Sequence, residues 1–600
     1  AVAPARLGPY LRELRALMDR YGYHGAFYGH FGQGCLHCRI DFDMATAEGI
    51  RSYRRFMEEA ADLVVRYGGS FSGEHGDGQA RAELLPRMFS PEVMQAFREF
   101  KAIWDPDGKM NPGKMVDPYP LDAHLRLGTQ YDPPHPETHF KFPEEHGDFA
   151  HAALRCVGVG KCRRIEGGTM CPSFMVTREE RDSTRGRGHA LFEMLQGDVL
   201  KGGWHDEHVM DALHLCLSCK GCKAECPVNV DMATYKAEFL SHYYEGRLRP
   251  RVAYALGFVH RWARWASHMP GLANFLTQAP LTGPLAKRLG GLTPHRALPA
   301  FAPETFQAWF KARPVVNPEG ARVILWPDTF NNHFTPEIAR AGVEVLEAAG
   351  FRVVVPMQAL CCGRPLYDFG FLDQAERQLK QILETLRAEI RAGTPIIGLE
   401  PSCVAVFRDE LTNLFPHDTD ALRLKEQTFM FSEFLDRKAP DFKLPTLAGK
   451  ALVHGHCHHK AVLDFKAEGR VLDRLGMEHE VLDSGCCGLA GSFGFEPDKY
   501  DVSVKAGERV LFPAVRAADP ETLVVTDGFS CREQIAHGTE RRARHLAEAI
   551  HAGLQAEGRL GARPPVSLER PRSRLPGTIG AGLLIAAGLV VYRLAQRRGG

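Results

Sequence analysis

Sixteen cysteines and two small groups of histidines and acids carry the chemistry legible in this 600-residue chain. The densest run is Cys216-x2-Cys219-x2-Cys222-x3-Cys226-Pro227. Two-residue gaps let a tight loop wrap thiolates around an iron–sulfur cubane. Where a chain holds two clusters, the first three cysteines of such a run ligate one and the fourth serves the other. A zinc knuckle is the competing use, and the Cys-Pro ending argues against it. A partner run is required, and Cys156-x5-Cys162-x8-Cys171-Pro172 supplies it. With ligands crossing over, Cys216, Cys219, Cys222 and Cys171 complete a 4Fe–4S site. Cys156, Cys162 and Cys226 are left one ligand short, because Val159 stands where a middle cysteine would fall. A three-iron cluster and a non-cysteine fourth ligand both satisfy that count.

A second pattern is a repeat. Cys361-Cys362-Gly returns as Cys486-Cys487-Gly after 125 residues, and the single Cys403 returns as Cys531 after 128. This is an internal duplication, with a period too long for a solenoid. In the later copy Cys457, Cys486, Cys487 and Cys531 follow apolar, strand-like runs (ALVHG, HEVLD, TLVVTDG). Strand C-terminal ends in an α/β sheet converge on one crevice, so four thiolates meet there in a seat for an iron–sulfur cluster or zinc. The earlier copy has Cys361, Cys362 and Cys403. Its counterpart of Cys457 is expected near Asn331 or Asn332, which makes this copy degenerate by one thiolate. His454, His456, His458 and His459 flank Cys457; a hydrogen bond to the thiolate or a ligand role suits one of them.

Near the start, His30-Phe-Gly-Gln-Gly-Cys-Leu-His37 sets two imidazoles either side of a Gly turn, and Glu74-His75 follows inside GEHGDG. Two imidazoles and a carboxylate form a divalent-metal set with a place left for substrate. Residues 1–118 resemble the C-terminal half of FAD-linked 2-hydroxyacid oxidases, through HxGxGxxH, GEHG, DPDGKMNPGK (Asp105–Lys114) and the helix between them. The resemblance implies that His30, His37 and Glu74 bind a divalent metal such as zinc, which polarises the substrate. It further implies that His75 is the base that takes the hydroxyl proton, and that Asn111 and Gly113 approach FAD. One departure is plain: the family's GDGN is GQGC here, with Gln33 and Cys35.

Residues 146 to about 556 look like the iron–sulfur subunit of glycolate oxidase, in which a helical two-cluster ferredoxin domain precedes paired cysteine-rich CCG domains. Similar CCG domains occur in heterodisulfide reductase and in the anaerobic glycerol-3-phosphate dehydrogenase subunit. The trailing CxxC of heterodisulfide reductase is absent, since Arg532 follows Cys531, so a four-thiolate cluster or zinc is implied. The whole order resembles fused bacterial flavin and iron–sulfur D-lactate dehydrogenase-like proteins. That likeness implies FAD-dependent oxidation of a D-2-hydroxyacid, D-lactate first, with electrons relayed through 4Fe–4S clusters to a quinone or cytochrome. The alternative is an electron-transfer subunit of a glycolate-oxidase or heterodisulfide-reductase-like complex, with residues 1–118 as a docking module. The FAD-binding half of the oxidase family precedes this region, and the sequence has no Gly-rich dinucleotide fingerprint or P-loop. Beginning abruptly at Ala1, the chain is expected to be the C-terminal part of a longer fusion.

The elements that must hold these residues make a multidomain chain. Residues 1–118 read as an α+β module whose helix from Pro91 to Trp104 carries an apolar stripe of Val93, Phe97, Phe100 and Trp104. Residues 119–145 are proline-rich and read as a linker. The mainly α-helical two-cluster ferredoxin domain spans 146–240, and a helical or irregular connector 241–320. Duplicated α/β CCG domains follow at 321–440 and 446–556. Residues 575–594 read as a C-terminal hydrophobic helix flanked by arginines. A membrane needs roughly 20 apolar residues, so this is either a tail anchor or a packed or interfacial helix. An anchor would place the protein at the cytoplasmic face of a bacterial inner membrane, tail-anchored or peripheral. Net charge is +1 with 44% hydrophobic and 24% charged residues, which gives no basic surface for nucleic acid and excludes a disordered or polytopic chain. Fourteen cysteines in ligand-like spacings point to a reducing compartment.

Overall fold

The computed structural model describes residues 1–129 and 131–560. The hydrophobic segment 575–594 lies outside the described residues. Among the described residues no helix is long and apolar enough to cross a membrane. The chain divides into two compact units, the first Ala1–Pro134 and the second from His135 onward.

In the first unit, helices Leu7–Tyr21 and Ala47–Arg66 bury Leu14, Leu17 and Met18 against Phe56, Leu63 and Val64. Thr46 caps the longer helix by accepting from the Gly49 N–H. Strands β1 (Gly25–Tyr28) and β2 (His37–Ile40) pair antiparallel, with Tyr28 opposite His37. The turn between them needs glycine. Gly34 has φ +74°, and a Cβ there would lie 1.8 Å from the Val2 carbonyl oxygen. Helix Pro91–Trp104 forms, but its expected core stripe does not turn inward. Met94 is the residue it buries, against Ala82 and Leu85, and that register leaves Phe100 and Trp104 exposed.

The second unit begins inside the expected linker. His139 and Phe140 donate their backbone N–H groups to the Glu238 carboxylate, both at 3.0 Å, and Phe140 and Phe142 are buried. Residues 135–145 are therefore packed chain rather than linker; the Glu238 carboxylate satisfies backbone donors that a linker would leave to water. Helices dominate from there to Lys311.

The expected strand runs all form, in two parallel sheets. The first is β4 (Arg352–Val354), β3 (Arg322–Leu325), β5 (Ile396–Gly398) and β6 (Thr428–Met430), in that order. The second is β8 (Glu478–Val481), β7 (Lys450–Val453) and β9 (Leu523–Val525). The centre strand, its partners and their direction match between the sheets. Val323, Leu325, Ile397 and Leu399 of one copy share a core with Ala451, Val453 and Val525 of the other. Each such Val, Leu or Ile side chain contributes about 1.5–3 kcal/mol on burial.

The matching registers fix the equivalences. Asp328 caps helix Thr329–His333 just as His456 caps helix Cys457–Val462, so the counterpart of Cys457 is Thr329. This corrects the sequence expectation of Asn331 or Asn332, which fall two and three residues further along the helix because the N-cap, not the first polar residue, marks the equivalent point.

Candidate functional site: histidine–carboxylate cluster and cysteine sites

In the first unit Glu74 is the hub. Its Oε1 lies 2.6 Å from His37 Nε2 and 3.0 Å from His75 Nε2, and its Oε2 lies 3.9 Å from His30 Nε2. Partial burial raises the Glu74 carboxyl, but bonds to His75 and His37 outweigh it and hold the group below the usual carboxylate range. His37, Glu74 and His75 each bring one donor atom within 4.8 Å of the others, a spacing that fits a divalent ion. His30 stands further off, 3.9 Å from Glu74, whereas the resemblance to FAD-linked oxidases implied His30 for the metal and His75 for proton transfer. Tyr28 stacks on the His37 ring at 5.0 Å, and the β1–β2 pairing holds it there. Asn111 and Gly113 lie in an exposed turn, both with positive φ. At Gly113 a Cβ would fall 2.2 Å from Tyr119, so packing by this chain accounts for the glycine.

In the second unit Cys216, Cys219, Cys222, Cys171 and Cys162 are buried, and Cys156 and Cys226 half-buried. Cys171 lies close enough to Cys219 and Cys222 for its charge to raise both, on top of a larger rise from burial. The expected four-thiolate set thus draws together, and a cluster's iron would supply the positive charge these thiolates need. Cys171 itself goes the other way. Burial raises it, but the Arg187 guanidinium, 3.3 Å from its sulfur, holds the thiol below its usual value. Arg187 is 1% exposed and also donates to Ser173 Oγ and the Ala212 carbonyl. In the other set, Cys162 accepts from the Arg185 N–H at 3.3 Å and is pushed up by burial. Cys156 packs where a Cβ on Gly188 would meet it, and Cys226 ends helix Gly221–Glu225.

Lys220, inside the Cys219–Cys222 gap, is buried. Its ammonium meets Asp409 at 2.6 Å, Asp231 at 3.0 Å and Glu410 at 3.1 Å. Burial lowers it, and these carboxylates more than compensate. Lys236 donates to the Cys216 carbonyl at 2.6 Å. The sequence reading passed over Arg187, Lys220 and Lys236. A lysine between two cluster cysteines was the available sign for Lys220; Arg187 left none.

The later CCG copy assembles as expected. Cys457, Cys486, Cys487 and Cys531 are all buried and close enough for each to shift its neighbours' ionisation. The Cys486 thiol draws Cys457 down to about 7, and thiols from Cys486 and Cys531 take Cys487 well below its ordinary value. Thiolates held this way are metal ligands in waiting. His454 joins them. Its Nδ1 is 2.6 Å from Ser484 Oγ, its Nε2 has no other bond, and its donor atom lies within 4.8 Å of those of Cys487 and Cys531. In the earlier copy Cys362 and Cys403 sulfurs are 3.0 Å apart, and the Thr329 hydroxyl reaches the Cys361 sulfur at 3.7 Å. This copy holds a threonine hydroxyl where the later one holds a thiolate.

The cubane loop abuts the later CCG site. Cys219 and Leu217 share one apolar cluster with Cys457, Cys486 and Phe493, and His458 Nε2 is 2.9 Å from the Ser218 carbonyl.

Comparison with known proteins follows this division of the chain. The FAD linked oxidases C-terminal domain matches residues 1–115, the 4Fe-4S dicluster domain residues 152–230 and the cysteine-rich domain residues 329–408. D-2-hydroxyglutarate dehydrogenase of Pantoea ananatis is 25% identical over 603 residues, covering 92% of this chain and 58% of that protein. The enzyme of the same name from Escherichia coli is 26% identical over 611 residues, with the same coverage. The glycolate oxidase iron-sulfur subunit of Escherichia coli is 24% identical over 424 residues, 68% of this chain and 96% of that subunit. The chain spans 58% of the length of the curated dehydrogenases it matches. It carries, in chain order, the C-terminal domain of FAD linked oxidases, a 4Fe–4S dicluster domain and a cysteine-rich domain, and FAD and 4Fe–4S clusters are the cofactors those domains serve.

Proposed function

We propose that this chain supplies the substrate-binding histidine cluster and the electron exit of an FAD-dependent D-2-hydroxyacid dehydrogenase, with a quinone or cytochrome as final acceptor. The observation that carries the reading is the packing of cluster ligand Cys219 against Cys457 and Cys486, in a chain whose residues 1–115 match the oxidase C-terminal domain. D-2-Hydroxyglutarate stands in the names of the similar dehydrogenases, and D-lactate is the substrate expected from the sequence. Both share the 2-hydroxycarboxylate end that a divalent metal held by His37 and Glu74 would bind.

His37 and Glu74, with His30 further off, would hold a divalent metal at which the substrate's hydroxyl and carboxylate bind. His75 takes the hydroxyl proton at Nε2, the atom now 3.0 Å from Glu74. Asn111 and Gly113 are the residues of this chain assigned to the flavin. FAD, when bound, would supply the hydride acceptor, and iron–sulfur clusters held by the cysteines would supply one-electron carriers. Arg187 keeps Cys171 ionised for its cluster, and His458 ties the cubane loop to the later CCG site. In this proposal residues 575–594 bring the chain to the cytoplasmic face of a bacterial inner membrane.

A second reading, an iron–sulfur electron-transfer subunit without flavin chemistry of its own, is favoured by the match to the glycolate oxidase iron-sulfur subunit. One experiment separates them. The anaerobically purified protein is analysed for iron and flavin, then mixed with D-2-hydroxyglutarate or D-lactate while absorbance and cluster EPR are followed. Flavin bleaching with cluster reduction supports the dehydrogenase. Iron without flavin, and clusters reduced only by an added flavoprotein, supports the subunit.

A further inference from the structure

Next to the later CCG site, at the same strand ends that carry its thiolates, three buried polar side chains converge with several of their polar atoms unpartnered. His459 lies on helix Cys457–Val462 after β7, Glu468 on helix Lys466–Arg474, and Asp527 directly after β9. Their exposures are 0%, 1% and 2%. One donor atom of each lies within 4.8 Å of the others, and His459 Nδ1 is 3.4 Å from Glu468 Oε2. Both ring nitrogens of His459, Glu468 Oε1 and Asp527 Oδ2 lack any hydrogen-bond partner. Asp527 Oδ1 accepts from the Leu546 N–H at 3.0 Å and lies 3.4 Å from His545 Nδ1, which itself accepts from the Ala547 N–H, so Oδ2 is the oxygen left without a partner. Among the described residues no lysine or arginine side chain forms an ion pair with Glu468 or Asp527.

Two carboxylates and an imidazole buried together, with their lone pairs unused, need a cation or a shared proton. The chain contains its own control for whether the fold requires them. In the earlier copy the strand register sets Leu399 at the position of Asp527, and Asn331 at that of His459. Leu399 is fully buried in the apolar core, and both ends of the Asn331 amide are bonded, to Asp328 and Thr335. The same scaffold thus closes with an apolar residue and a self-contained amide, so the acid pair is an addition in the later copy.

We propose that His459, Glu468 and Asp527 bind a divalent first-row transition ion, zinc in the first instance, in a mononuclear site separate from the cysteine centres. One nitrogen and two carboxylates form a borderline-hard donor set that suits zinc, manganese or ferrous iron and differs from the soft thiolates nearby. The ion would join the β7 and β9 junctions, the two that carry Cys457 and Cys531, and so fix the spacing of the CCG ligands.

The test uses the full chain with its clusters loaded. Protein purified anaerobically is washed with EDTA, given Zn2+, and analysed for zinc, iron and acid-labile sulfide, beside Asp527→Leu and Glu468→Gln. The expected result is one equivalent more zinc in the wild type than in either variant, with iron and sulfide unchanged. Zinc K-edge absorption should show nitrogen and oxygen neighbours at about 2.0–2.2 Å. Equal zinc in all three proteins, or an extra zinc with sulfur neighbours at about 2.3 Å, overturns the proposal. Should Asp527→Leu fail to fold, Glu468→Gln, which keeps the shape, carries the comparison alone.

Discussion

Thr329→Cys should restore to the earlier CCG copy the ligand that the later copy has. Thr329 occupies the position of Cys457, and its hydroxyl is already 3.7 Å from the Cys361 sulfur, with Cys362 and Cys403 3.0 Å apart beside it. The side chains are of similar size, so the substitution should cost less than about 1.5 kcal/mol of stability. Four-ligand zinc sites in peptides gain about 10–16 kcal/mol, or roughly 3 kcal/mol per ligand, which is about a hundredfold in affinity. The assay is chelator competition on protein with intact ferredoxin clusters, counting zinc and iron retained. Thr329→Cys should hold one further metal centre against a chelator concentration about a hundredfold higher, and Cys457→Thr should weaken the later site by a similar factor. Unchanged retention in Thr329→Cys, together with a gain in Asn331→Cys, would refute the equivalence drawn from the N-caps.

His75→Gln should lower hydroxyacid-dependent reduction by about 10²–10⁴-fold with metal content intact, as for a general base; loss of the divalent metal instead would make His75 a ligand. Lys220→Met leaves Asp231, Asp409 and Glu410 with only Lys223 and Arg364 for compensation, and should cost about 3 kcal/mol. It should shorten the half-life of iron retention on heating, and an unchanged half-life would sink this account. His139 is raised above its ordinary value by its 2.7 Å bond to Glu376 and by neighbouring carboxylates, against the opposing effect of burial. The stability it lends is therefore full below about pH 6.5 and fades as pH rises through the elevated value. Denaturant unfolding of His139→Gln should show a loss of about 1 kcal/mol at pH 6 and little at pH 9, and a loss independent of pH would exclude the ion pair.

The cysteine ligands were legible because metal ligation imposes spacing on the chain itself: three cysteines at two-residue gaps, and doublets repeated at a fixed interval. Strands β3, β5, β7 and β9 were legible because buried parallel strands are apolar on both faces, as RVIL, PIIG, ALV and LVV are, whereas the three-residue β6 was not foreseen. What escaped depends on long-range packing. Nothing near Arg187 in sequence marks it as the cation beside Cys171, since Cys171 is reached only when helix Thr184–Gln196 lies across it. The position of Thr329 was missed by two residues because equivalence follows the N-cap, whereas a reading by residue type favoured the asparagines. The stripe on helix Pro91–Trp104 had the right period and faced outward, because periodicity fixes a face without saying what lies opposite. The stretch at residues 135–145 read as linker from its prolines, yet Glu238, about a hundred residues away, holds its backbone.

The two CCG copies have diverged along one line, and the cubane loop between them shows which. Toward the earlier copy the loop sends Lys220, whose partners Asp409 and Glu410 belong to that copy, with Arg364 beside the cysteine doublet bound to the same Glu410 at 2.5 Å. Toward the later copy it presents Cys219, in contact with Cys457 and Cys486, and the Ser218 carbonyl, held by His458. The earlier contact is electrostatic and buried, which orients a loop firmly but carries no thiolate bridge. The later contact puts sulfur ligands of two sites side by side, which is what short-range electron transfer needs. A copy that anchors the loop can lose its fourth thiolate to Thr329 without loosening the loop. In the proposed electron path the copy that takes the electron must keep Cys457, and it is the later copy that has both Cys457 and the buried acid–imidazole group next to it.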